Sequence, residues 1–141
     1  MIKFKIEEVP VSTYPEVKLI EKEGEYDVLT CKYNNNTIKY YFLSNKLEKI
    51  YDVYVEKKEG SYNYDANLEK YRATSNKYKE IPNFSSTFIE SDEDFQMINE
   101  ANLSDIKESE LTTLKTFRFF KKGESKDVVN FELESQAYTC S

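Results

Sequence analysis

The sequence predicts a single α+β domain: an antiparallel meander sheet of about six strands, one or two short helices near 91–110, and a C-terminal β-hairpin. Three observations predict it. Runs of alternating apolar and polar residues recur in the first half of the chain and again near its end. Short turns containing Asn or Gly separate them. One segment breaks the alternation with serines followed by clustered acids, the composition of helix starts.

In chain order, IKFKI at 2–6 sets Ile2, Phe4 and Ile6 on one side and Lys3 and Lys5 on the other, the period of a half-buried strand. VKLI at 17–20 follows Pro10 and Pro15 and runs into a turn at Gly24. YDVLTCKY (26–33) and TIKYYFL (37–43) flank three asparagines. Asn tolerates the left-handed backbone a hairpin turn needs, so these two strands pair. IYDVYVEK (50–57) is the next strand, with Tyr51, Val53 and Val55 alternating against Asp52, Tyr54 and Glu56. Leu68, Tyr71, Ser75 and Tyr78 share helical spacing behind Asp65, which suits an N-cap, and this points to a short helix. Ser91 precedes Asp92, Glu93 and Asp94, with Phe95, Ile98 and Ala101 on one helical face behind them, and Ser104 repeats the pattern. The final hairpin is TLKTFRFF (113–120), a turn around Gly123, and DVVNFELES (127–135), where Val129, Phe131 and Leu133 point one way. No repeat or linker divides the chain.

The 141 residues can bury a core without metal or disulfide staples. Twelve Tyr and nine Phe supply much of the apolar content, and three Gly leave no material for a glycine-rich phosphate loop. The chain has no histidine, which removes Ser–His–Asp and Cys–His catalysis and every His-containing zinc site. An EF-hand over DEDFQMINE fails, because Met97 stands where the turn needs Gly and Leu103 where calcium needs a bidentate acid. No acid stands alone inside an apolar run, the arrangement that raises a catalytic carboxyl's pKa. The chain is therefore read as non-enzymatic and without cofactor. No run approaches the length of a membrane span, and the N-terminal residues lack the apolar core of a signal peptide. A cytoplasmic location follows, and Cys31 and Cys140 are expected as reduced, inert thiols.

The net charge of −6 is concentrated. Residues 90–112 hold eight acids against one lysine, and the rest of the chain is nearly neutral. Serine caps account for the acids nearest Ser91 and Ser104 but not for Glu100, Glu108 or Glu110. Clustered like charge steers docking onto a basic partner. Asp92, Glu93, Asp94, Glu100, Asp105, Glu108 and Glu110 are thus the expected partner-binding residues of a small acidic inhibitor, of immunity or anti-defence type. It would occlude a basic, nucleic-acid-processing protein and bind neither nucleic acid nor membrane itself. Two alternatives accompany this reading: an assembly protein forming a homo-oligomer, and a small-ligand binder whose tyrosines between 51 and 78 line a pocket.

Overall fold

A computed structural model describes residues 25–114 and 117–141. The strands expected at 2–6 and 17–20 lie outside them. Strands β1 (Asp27–Tyr33), β2 (Asn36–Leu43) and β3 (Lys46–Lys57) form the expected antiparallel meander. Two-residue turns join them. Asn34 takes φ 50° in the first, and Ser44 and Asn45 take φ 51° and 63° in the second. Short polar side chains tolerate that left-handed region, which is why the asparagine run turns the chain.

Helix α1 (Tyr64–Tyr78) follows, then β4 (Phe84–Glu90), β5 (Asp94–Asn102), the one-turn α2 (Glu108–Leu111), α3 (Lys126–Ser135) and β6 (Thr139–Cys140). One six-stranded antiparallel sheet results, in the order β4-β5-β3-β2-β1-β6. With its helices it forms the α+β architecture expected. No helix among the described residues is long and apolar enough to cross a membrane.

Four local expectations are corrected. Residues 94–102 are strand, not helix. Ser91 does accept from the amides of Glu93 and Asp94, at 3.2 and 3.1 Å, but it caps the β4–β5 turn. Residues 126–135 are helix α3, not the last strand of a hairpin. Ser125 caps it by accepting from the Val128 amide, and the buried pair is Val129 and Leu133, one helical turn apart. Phe131, 70% exposed, points away from them, and none of the described residues 113–114 and 117–120 is in a strand. At the start of α1 the cap position is Asn63, and Asp65 lies inside the first turn.

The fourth concerns the cysteines. Thr30 and Ser141 exchange backbone hydrogen bonds of 2.9 Å each, which makes Cys31 and Cys140 the adjacent non-hydrogen-bonded pair of β1 and β6. That is the closer kind of antiparallel neighbour. Their Cα atoms lie 4.0 Å apart and the sulfurs form a disulfide, rather than two free thiols.

Among the described residues, the two helices long enough to cover the sheet serve the same face. Helix α1 packs on β4 and β5, and α3 on β1 and β6. Tyr40, Phe42, Ile50, Ala101 and Leu133 belong to the large core on that face, while Tyr64, Leu68 and Phe95 form a smaller one beneath α1. Between the two helices, Leu114, Phe117, Phe119 and Phe120 pack over Tyr40 and its neighbours, and among the described residues a cleft remains over Asn36, Asp52 and Tyr54.

Candidate functional site

The opening is built from two successive cross-strand rows. Because side chains alternate with period two, the register decides which residues share the helix-covered face. The first row runs Cys140, Cys31, Ile38, Asp52, Asn99, Ser86 across all six strands. It begins apolar and ends polar, and Cys31, Ile38, Asp52, Asn99 and Ser86 are all buried. Ser75 of α1 closes its polar end with a 2.8 Å hydrogen bond to Ser86. The second row runs Tyr33, Asn36, Tyr54, Met97, Phe88.

Above the second row lies a cleft of about 400 Å³. Its two walls are tyrosine pairs. On one side Tyr54 stacks on Tyr71 of α1, with ring centroids 4.2 Å apart and planes 12° from parallel. On the other, Tyr33 meets Tyr138 at 5.5 Å, just beyond the disulfide that ties their strands. Asp52 and Asn36 form the floor, Asn34 and Asn35 of the first turn one end, and Arg118 the rim.

A hydrogen-bond chain fixes the floor. The Tyr138 hydroxyl donates to Asn36 Oδ1 at 2.6 Å, and Asn36 Nδ2 donates to Asp52 Oδ1 at 2.5 Å and to the Val53 carbonyl at 3.1 Å. Asn99 approaches the other carboxylate oxygen at 3.4 Å, while its own Oδ1 is buried with no hydrogen-bond partner among the described residues. Burial pushes the Asp52 carboxyl from its ordinary 3.8 up to about 6, although the two amides and the Arg118 charge pull it down. Burial and the nearby Arg118 act in opposite directions on Tyr138, and its hydroxyl remains above the usual range.

The Tyr54–Tyr71 wall has its own anchor. Glu56, two residues along β3, accepts from the Tyr54 hydroxyl at 2.6 Å, from Ser61 at 2.5 Å and from Asn67 at 3.1 Å. Burial acts to raise its pKa, but these donors outweigh it and hold Glu56 below the ordinary value. Tyr54 is raised by burial and by donating to Glu56. The stacked pair is therefore held at the edge of the cleft by an ionised hub tying β3 to the start of α1.

The predicted partner-binding acids do not gather. Asp92 and Glu93 are exposed in the β4–β5 turn, and Asp94 opens β5. Asp105 and Glu108 are exposed beyond its far end, with Glu110 half-buried nearby in α2. The eight steps along this nine-residue strand, at ~3.3 Å each, put its two ends about 26 Å apart. Glu100, half-buried on β5, stands in register with Tyr51 on the face opposite Asn99. No cluster of three metal-ligating side chains occurs among the described residues.

The cleft residues went unselected in the sequence, and the statement that no acid sits inside an apolar run is corrected by Asp52. It lies within Ile50-Tyr51-Asp52-Val53-Tyr54-Val55, and that flanking was the available signal. Tyr54 and Tyr71 fall in the tyrosine-rich stretch 51–78 that the alternative ligand-binder reading singles out.

No protein-family model matches the chain, and no curated protein matches it. Among solved structures, the NMR structure of the E. coli YehR protein is similar, with a TM-score of 0.59 over 82% of this chain and 89% of that one. The two are 13% identical, so the likeness is one of fold.

Proposed function

We propose that this protein is a non-catalytic binding protein that takes a small polar ligand in the cleft over Asp52. One observation carries the reading: an ionisable carboxyl, 5% exposed, forms the floor of a cleft walled by two tyrosine pairs. Among the described residues its donors are amides, and with the Arg118 charge they offset only part of the cost of burial; such partly compensated groups concentrate where ligands bind. Its side-chain hydrogen-bond partners are Asn36 and Asn99, which orient a ligand but do not exchange protons at neutral pH. Binding is preferred to acid–base chemistry because, among the described residues, no second acid or base hydrogen-bonds to Asp52 to share or relay its proton.

Occlusion of a basic protein by the acidic segment is the competing proposal. It needs its carboxylates on one surface, whereas they sit at opposite ends of β5. The cleft is therefore preferred. The Cys31–Cys140 disulfide supports an oxidising compartment over the cytoplasm, where glutathione and thioredoxin keep such pairs reduced.

A thermal-shift screen of small polar metabolites against wild type and Tyr71→Ala tests the reading. A ligand that binds only the folded state raises the melting temperature. Compounds should stabilise wild type and lose that effect in the variant. Hits that stabilise both proteins equally would place binding elsewhere and refute it.

A further inference from the structure

The cleft holds two opposite charges at different depths. Asp52 is buried at the floor, and Arg118 is exposed at the rim. Among the described residues, the Asp52 carboxylate has no ion-pair partner, and neither has the Arg118 guanidinium. The two do not meet each other. The Tyr138–Asn36 hydrogen-bond chain stands between them and ends on Asp52. This places a negative pole below and a positive pole above, with aromatic walls on either side.

Resting on the cleft reading, we propose that the ligand is a small zwitterion of the free amino-acid class. Its ammonium group would descend to Asp52 and its carboxylate would meet Arg118. Two features favour this over other small polar ligands. A desolvated carboxylate is a strong acceptor for an ammonium, and the charge-assisted hydrogen bond would relieve its unpaired burial. Guanidinium at the rim matches a carboxylate in bidentate geometry. A cation alone would leave Arg118 unanswered, an anion alone would face Asp52, and a neutral sugar would satisfy neither charge.

The test is titration calorimetry with common free L-amino acids, each beside its N-acetyl and carboxamide forms, with neutral sugars and nucleosides as comparison probes. Wild type should bind at least one free amino acid and discriminate against both blocked forms by about tenfold or more. Asp52→Asn, which keeps the side chain's shape, should abolish discrimination against N-acetylation but keep that against the carboxamide. Arg118→Gln should do the reverse. Equal binding of blocked and free forms, or discrimination unchanged in the variants, would overturn the proposal. Sugars or nucleosides binding while amino acids do not would overturn the zwitterion and leave the cleft reading standing. If no probe binds, both fall.

Discussion

Replacing Asp52 by Asn should stabilise the protein at neutral pH, and the gain should vanish on acidification. The folded-state pKa of Asp52 is about 6, above its ordinary 3.8. The folded protein therefore holds this proton more tightly than the unfolded chain does. Between those two values, its contribution to stability rises as pH falls. At pH 7 the ionised carboxylate costs ~3 kcal/mol relative to its neutral form. Asparagine removes that cost but turns an acceptor oxygen into a donor, so a hydrogen bond worth about 1 kcal/mol is lost. The variant should be about 2 kcal/mol more stable near pH 7, and the advantage should disappear by about pH 4. Urea unfolding followed by tyrosine fluorescence, run on both proteins across that range, measures the difference. Glu56, whose pKa is lowered, has the opposite pH dependence, but its effect is common to both proteins and cancels. A variant less stable than wild type at pH 7, or a difference that does not change with pH, would refute the burial argument.

Three further outcomes follow from the packing. Reducing the disulfide, or replacing Cys140 with Ser, should cost about 2–5 kcal/mol, because the bridge closes a loop spanning 109 residues. It should also weaken any ligand bound between the tyrosine pairs, since Tyr138 lies two residues from Cys140; melts with and without a dithiol read both effects. Leu133→Ala should cost ~2–5 kcal/mol while Phe131→Ala stays within about 0.5, the contrast expected of helix α3 and not of a strand that buries both. Glu56→Gln should destabilise the protein at neutral pH by weakening its charged hydrogen bonds to Tyr54, Ser61 and Asn67; in wild type that contribution should be lost as pH falls below the ordinary glutamate range. Urea midpoints for the variant and wild type at neutral and acidic pH check it.

Much of the sheet was legible because its cues are local. Asn34 and its neighbours turn the chain where the sequence says they must, and β1 to β3 follow. The errors arise where two structures use the same chemistry. Ser91 caps backbone amides, but a tight turn leaves such amides free just as a helix start does. In β5 the residues Phe95 to Asn99 are all buried, so no alternation marked it as strand, and Phe95, Ile98 and Ala101 matched a helical stripe by accident. In α3 the β-branched Val128 and Val129 and the exposed Phe131 imitated a strand, although the buried pair is spaced one turn apart. Asp52 escaped notice because β3, like β5, is buried on both faces. Tyr51 and Val53 are buried on one face of β3 and Asp52 on the other, so its alternation resembled an outward-facing position. The disulfide and the cleft depend on register between residues far apart in the chain, which local pattern does not encode.

The most direct test of the cleft is a set of amide NMR spectra recorded while pooled small polar metabolites, free amino acids included, are added to the protein. Ligand in the cleft predicts shifts centred on Asn34, Asn36, Asp52, Tyr54, Tyr71 and Tyr138, with none at Asp92, Glu93 or Glu108. Shifts centred on those acids, or no shift anywhere, would contradict it.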